Sequence, residues 1–320
     1  MLTKSDVRGI CAFVPTPVKS GVATGDLASS IDFDATKDMI DRLIGDGVQM
    51  LALGGTTGEG AALLWEEKRE FVAAVVEQAG NRIPVFASAI ALGTRETIRQ
   101  MREYEKLGVG GAIVCPPFWQ TPTVDNAVGF IDDISEAVPG LPTMIYSNKF
   151  FFKFEFPTEF WQRVATDSST VIATKVSYDF RPEDYRVAGE HILFMGGEGN
   201  FRAVHDVLGK EASAAWCTSA AMGPEPWLAL IEAVAEDDRD RVETVLSDIE
   251  AVPPPLPMDE FHLFSSYNVQ LEKVRINAAG YVQCGRARAP YNDIPEKWVV
   301  AAKQNGEAWA KLCERYRAEA

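Results

Sequence analysis

The sequence predicts an α/β chain folded as a (β/α)8 TIM barrel with a C-terminal helical extension. Three observations carry that expectation. Strand-like and helix-like stretches alternate eight times, mostly with short connections. The strand-like runs are apolar on both faces, as strands wrapped by helices should be. The alternation stops after residue 240, and only helical patterns follow. An open doubly wound sheet is the alternative, but no G-x-G-x-x-G follows the first strand, and the count of eight favours closure.

The first strand is read at Gly9-Ile10-Cys11-Ala12-Phe13-Val14-Pro15, ending in a Pro-Thr-Pro turn. Residues 33–45 have helical spacing, with Phe33, Met39, Ile40 and Leu43 on one side. Strand two (48–53) runs into Gly54-Gly55-Thr56-Thr57-Gly58-Glu59, and an amphipathic helix follows at 65–79. Glu66 and Glu67 open that helix where its dipole favours anions, although Leu64 is a poor cap. Strand three (84–90) precedes a helix at 94–107 with Thr94 as the expected cap. Strand four (111–115) is closed by Pro116-Pro117-Phe118-Trp119, with a helix at 124–137. Strand five (142–146) and a helix at 157–165 lead to strand six (171–176) and a short helix at 182–188. Strand seven (192–195) and a helix at 200–208 precede strand eight (214–218) and a helix at 226–235. Beyond them, 241–252, 258–279 and 294–316 read as helical, with a stiff break at Pro253-Pro254-Pro255-Leu256-Pro257. The expected division is therefore a catalytic barrel over 1–240 and a helical extension over 241–320.

Composition narrows the function classes. With 31 Lys and Arg against 46 Asp and Glu, the net charge is -15, and no basic cluster offsets it, which argues against nucleic-acid binding. The five cysteines (Cys11, Cys115, Cys217, Cys284 and Cys313) are odd in number and widely spaced, as reduced cytoplasmic thiols are. Met1 to Arg8 has no apolar core of a secretory signal, and no run approaches a membrane span. The expectation is a cytoplasmic protein with no membrane and no nucleic-acid partner.

Active sites of such barrels lie at the C-terminal ends of the strands. Strand six carries Lys175 inside Val171-Ile172-Ala173-Thr174-Lys175-Val176-Ser177. A lysine in an apolar run either points its head into solvent at the strand end or sits desolvated, where its amine becomes a nucleophile toward ketones. Strand five ends on Tyr146, a phenol suited to proton transfer or simply to capping the core. The 29 residues between them, about one βα unit, should put both at neighbouring strand ends. The Gly55-Thr56-Thr57 turn offers N–H groups and hydroxyls to a carboxylate, or is a plain glycine turn. Amine, phenol and carboxylate nest are the parts needed to handle a 2-oxo acid through a covalent Schiff base, with no cofactor. A metal-dependent route lacks ligands: His191, His205 and His262 stand singly, with no H-x-H or H-E-x-x-H, and each reads as structural.

Together the G-G-T-T-G-E, I-Y and A-T-K strand ends resemble the dihydrodipicolinate synthase and N-acetylneuraminate lyase superfamily of class I pyruvate aldolases. The likeness runs through residues 9–235. Further stretches, L-W-E-E-K-R at 64–69, F-K-F-E-F-P at 152–157, Y-N-V-Q-L-E-K at 267–273 and A-P-Y-N at 289–292, extend it to nearly the whole chain. They resemble the hydratase-aldolases that cleave trans-o-hydroxybenzylidenepyruvate or trans-2'-carboxybenzalpyruvate in aromatic degradation. The resemblance implies that Lys175 forms the Schiff base and Tyr146 relays protons. It implies that Thr56 and Thr57 hold the relay and the pyruvate carboxylate, and that the protein is a homotetramer. The chain departs from the synthase pattern at Pro117-Phe118-Trp119-Gln120, where the synthase has a relay tyrosine. It also lacks an arginine after Tyr146, where Ser147-Asn148-Lys149-Phe150 follows, which argues against lysine biosynthesis. Phe118, Trp119, Phe150 and Trp216 are candidates to line a flat apolar cavity, or are ordinary barrel-to-helix packing. Asn268 is a candidate to orient a water or a polar substrate group, or is a solvated helical residue. The resulting expectation is a lyase that hydrates an arylidene pyruvate and cleaves it to an aromatic aldehyde and pyruvate. The alternative is an aldolase of a sugar acid or another hydroxy-2-oxo acid.

Overall fold

The computed structural model describes residues 1–177, 180–256 and 258–319, with the side chains of Met258, Asp259 and Phe261 outside that description. Pro257, the last residue of the expected break, also lies outside it. The eight strands are β1 (Gly9–Phe13), β2 (Met50–Leu53), β3 (Val85–Ser88), β4 (Gly111–Val114), β5 (Thr143–Ser147), β6 (Val171–Val176), β7 (Leu193–Gly197) and β8 (Ala214–Cys217). They form a closed barrel in chain order, and every pair with a described register is parallel. All the strands but β5 are buried throughout, and β5 is buried except at Ser147, so both faces of the barrel wall are covered.

By contact density the chain forms two compact units, one of Met1–Gly9 with Pro84–Trp216 and one of Ile10–Ile83 with Cys217–Ala320. The first unit holds the β3 to β8 ladder and the helices α3 (Thr94–Leu107), α4 (Val124–Ala137), α5 (Lys149–Phe152), α6 (Thr158–Asp167), α7 (Pro182–Ala188) and α8 (Phe201–Leu208). Gly93, not Thr94, precedes the first turn of α3 as its cap; Thr94 is already helical. The short α5 is capped by Asn148, whose Oδ1 accepts from the N–H groups of Phe150 and Phe151. After it, Phe154 and Phe156 turn inward onto Phe160 and Trp161, with ring centroids 5.3 Å (Phe154–Phe160) and 5.9 Å (Phe156–Trp161) apart. The F-K-F-E-F-P stretch is thus a core element, with its alternate rings buried.

One irregularity in this unit matters for chemistry. Thr143 pairs with Val171, but Met144 pairs with Ala173, so β6 carries one extra residue at that point. From there the register continues to Tyr146 opposite Lys175.

The second unit joins β1 and β2 to the helices α1 (Phe33–Gly45), α2 (Trp65–Ala79), α9 (Glu225–Ala235), α10 (Arg239–Glu250), α11 (Phe264–Ala279) and α12 (Glu296–Glu319). Asp32 caps α1 through the N–H of Ala35. At the start of α2 the third-position Glu67 bonds back to the Leu64 N–H at 2.9 Å, which supplies what the leucine cap lacks. The C-terminal helices α11 and α12 pack closely: a Cβ at Gly306 would meet the Arg275 carbonyl oxygen at 2.1 Å. Leu256, Leu271, Trp298 and Ala302 form their core, and Tyr267 lies edge-on to Trp298 at 4.4 Å.

Candidate active site

Lys175 lies on β6, in the first unit. Its side chain is 5% exposed, so the amine is inside the protein and not at a solvated strand end. The Nζ lies 3.6 Å from the centroid of the Trp216 ring and 4.1 Å from that of Tyr146. It also donates to the Ser177 hydroxyl at 3.2 Å. Two ring faces and one hydroxyl around an amine are a setting in which a positive charge is held by π-electron density in place of bulk water.

The seat of Trp216 is built from backbone. Its indole N–H donates to the Val176 carbonyl at 2.7 Å. Asn200 donates to the same carbonyl at 3.0 Å and accepts from the Gly197 N–H at 2.9 Å. Gly197 and Trp216 are register partners on β7 and β8, and a Cβ on Gly197 would lie 2.0 Å from the Trp216 carbonyl oxygen and 2.5 Å from its ring. Only glycine leaves room for the ring. On the other flank, Ser147 donates to the Lys175 carbonyl at 3.0 Å, and Thr174 donates to the Ile145 carbonyl at 3.0 Å. The backbone on both sides of the lysine is therefore tied to β5, β7 and β8.

Tyr146 is 4% exposed and meets Phe152 edge-on at 5.1 Å, and Phe152 meets Phe118 at 5.7 Å. Lys175, Tyr146 and Trp216 are thus brought together, and Phe118 joins them at one remove through Phe152. Trp119 stands apart at 76% exposure, as does Phe150 at 56%.

In the second unit, the turn after β2 is folded tightly on itself. The Glu59 N–H donates to the Thr56 carbonyl at 3.0 Å and the Gly60 N–H to the Gly55 carbonyl at 3.2 Å. Gly55 and Thr57 are buried and Thr56 is half-buried. Glu59 itself has a left-handed backbone (φ 55) and a buried carboxylate. Asn268 is half-buried on α11, the helix that also carries Lys273.

Several residues of these two settings were not singled out by sequence reasoning. Ser177 had a signal, since it stands two positions after Lys175, the period at which strand side chains share a face. Gly197 and Asn200 had only the glycine pair that ends β7. Among the described residues no group of three or more His, Cys, Asp and Glu side chains is arranged to hold a metal ion, and no helix is long and apolar enough to cross a membrane.

Residues 8–303 match the model of the dihydrodipicolinate synthetase family. The chain belongs to that family. It is 34% identical over 320 residues to the trans-O-hydroxybenzylidenepyruvate hydratase-aldolase of Pseudomonas putida, covering 98% of this chain and 96% of the relative. It is 30% identical over 321 residues to the trans-2'-carboxybenzalpyruvate hydratase-aldolase of a Nocardioides strain, covering 98% of this chain and 96% of the relative. Among solved structures, PhdJ bound to substrate intermediate matches with a TM-score of 0.93 at 30% identity, over 98% of this chain and 99% of that one. The N-acetylneuraminate lyase of Proteus mirabilis shares the fold, with a TM-score of 0.77 at 20% identity over 95% of this chain and 98% of that one. Family and relatives together make this chain a lyase of the aldolase type.

Proposed function

We propose that the chain is a Schiff-base-forming hydratase-aldolase that converts an arylidene pyruvate to an aromatic aldehyde and pyruvate. The observation that carries this reading is the Lys175 amine, buried at a strand end between the rings of Tyr146 and Trp216. The names of the full-length relatives support the aromatic substrate class.

In the proposed sequence, the amine attacks the ketone carbon and water leaves, giving a cationic imine. The Trp216 and Tyr146 ring faces stabilise that cation more than a neutral ketone, by roughly 0.5–2 kcal/mol for each well-placed face. The imine draws electrons from the conjugated double bond. Water then adds at the carbon bearing the aryl group, and a proton goes to the carbon next to the imine. Removal of the new hydroxyl's proton breaks the bond between those two carbons. The electron pair moves to the imine as an enamine and the aldehyde departs. Tyr146 is the proton carrier in this step. Protonation of the enamine and hydrolysis of the imine release pyruvate and the free lysine, so one water is consumed overall. Thr56 and Thr57, with the N–H groups of their turn, take the carboxylate. The imine is the electron sink, so the reaction needs no cofactor. Asn268 is proposed to orient a polar group or a water. We also assign this enzyme to the cytoplasm on its odd, widely spaced cysteines, a catalytic barrel to 1–240 on where the strand–helix alternation stops, and a homotetramer on the resemblance of its sequence.

The test is reduction with borohydride in the presence of pyruvate, followed by peptide mass mapping. The adduct is expected on Lys175, and in a substrate panel pyruvate should be released from arylidene pyruvates in preference to sugar acids. An adduct on another lysine, or none, overturns the imine. Preference for sugar acids leaves the imine but overturns the aromatic substrate.

A further inference from the structure

A second cluster of buried charge lies in the unit that carries the threonine turn, and no step above uses it. The Glu59 carboxylate is fully buried, and its Oε2 is 2.9 Å from Lys273 Nζ and 2.5 Å from Arg288 Nη1. Its Oε1 accepts the Arg288 backbone N–H at 2.6 Å. Lys273 places its other two donors on the carbonyls of Thr16 (2.8 Å) and Cys284 (3.0 Å), which completes the three an ammonium has. Arg288 reaches the Thr16 and Pro17 carbonyls at 2.9 and 3.1 Å and the Ser30 hydroxyl at 2.8 Å. Ser30 in turn donates to Glu67 at 2.6 Å. Two cations are thus matched by two carboxylates.

Burying such a cluster is expensive, and well-packed apolar residues of similar volume often serve stability as well or better. What an apolar cluster would not supply is a fixed direction. Here the direction is set on a turn that needs it. Glu59 stands in the left-handed region, between two glycines with no room for a side chain. A Cβ on Gly58 would lie 2.7 Å from the Gly54 nitrogen, and one on Gly60 1.9 Å from the Gly54 oxygen. The Thr16 hydroxyl pins the Gly58 carbonyl at 2.8 Å, and the Thr16 carbonyl is the shared acceptor of both cations. Two of the family-like stretches therefore meet at one carboxylate, the turn through Glu59 and Y-N-V-Q-L-E-K through Lys273, and Arg288, the residue before A-P-Y-N, joins them with its backbone and side chain.

We propose that Glu59, gripped by Lys273 and Arg288, is the positioning residue that presents Gly55, Thr56 and Thr57 to the carboxylate of a 2-oxo acid. Helix α11, through Lys273, and the segment after it, through Arg288, then take part in recognising the substrate class by acting through the turn. The inference rests on the reading that this turn takes the carboxylate.

The experiment compares borohydride trapping on Lys175 by pyruvate and by methyl pyruvate, which has the same ketone and no charge. Lys273→Met should raise the pyruvate concentration for half-maximal trapping about ten- to a hundredfold, what losing a hydrogen bond from a charged group is worth. Trapping by methyl pyruvate should stay within about twofold of the parent. An equal loss for both ketones, or a lowered melting temperature with neither ketone affected, overturns the proposal. Should Lys273→Met fail to fold, Glu59→Gln keeps the shape of the side chain and carries the same comparison with the same outcomes. A parent enzyme that traps neither ketone overturns the imine, and this inference with it. That failure shows before any variant is made.

Discussion

Gly197→Ala is the smallest change that tests how the amine's surroundings are built. The added methyl would sit 2.0 Å from the Trp216 carbonyl oxygen and 2.5 and 2.6 Å from two indole carbons, where real Cβ contacts essentially never fall below 3.0 Å. The oxygen is backbone in β8 and cannot swing away, so β7 and β8 must part or the indole must leave its seat. Overpacking of this kind costs roughly 1–3 kcal/mol. Losing the 2.7 Å bond from the Trp216 indole to Val176 adds about 0.5–1.5 kcal/mol. The Val176 carbonyl keeps Asn200 as a partner, so no buried acceptor is orphaned. The expected loss is therefore a few kcal/mol, read as a lower midpoint in urea unfolding at unchanged slope. Because the ring would no longer face Lys175 Nζ at 3.6 Å, turnover of an arylidene pyruvate should fall as well. A variant with the parent's midpoint and the parent's turnover would refute the account of Gly197 as the seat of the indole.

Tyr146→Phe keeps the ring beside Lys175 and its edge-on contact with Phe152. The fold should survive while turnover drops by roughly 10²–10⁴-fold, the usual contribution of a general acid–base group; near-normal turnover would make the phenol a core cap only. Glu67 predicts an acid-side effect on stability. Burial pushes its carboxyl up, but hydrogen bonds from the Ser30 hydroxyl and from the N–H groups of Ser30 and Leu64, with the charge of Arg288, overturn this and hold it below its ordinary 4.5. A carboxyl lowered on folding contributes stability above its unfolded value, and that contribution is lost as pH falls through the lowered value. Glu67→Gln should therefore flatten the loss of stability below pH 4.5, and an unchanged acid limb in urea midpoints measured from pH 6 to 3 would contradict it.

The helical periodicity was legible where a helix buries residues at helical spacing, as Thr36, Met39, Ile40 and Leu43 are on α1. The bounds read from sequence for α1, α2, α3, α4 and α7 agree with the structure to the residue, and so do those of β6. The short α5 left no such trace, since four residues cannot show a 3.6-residue period. The Thr94 cap failed for a local reason: the backbone turns helical one residue earlier than the hydroxyl suggested. Trp119, on the loop after β4, and Phe150, on the four-residue α5, are largely exposed, and an aromatic residue type alone does not say which way its ring points.

By itself the sequence determined the order of the elements, the barrel, and the pair Lys175 and Tyr146, because periodicity, strand burial and spacing are properties of a linear pattern. The tertiary structure decided what surrounds the amine. The extra residue in β6 sets Tyr146 opposite Lys175, where an unbroken register would have opposed it to Thr174. Trp216, 41 positions from Lys175 in the chain, faces its amine only because Gly197 leaves room and the Val176 carbonyl holds the indole. Glu59 finds Lys273 and Arg288 more than 200 residues away. Such meetings depend on closure of the fold, since a buried charge chooses its partner by distance and desolvation and not by position along the chain.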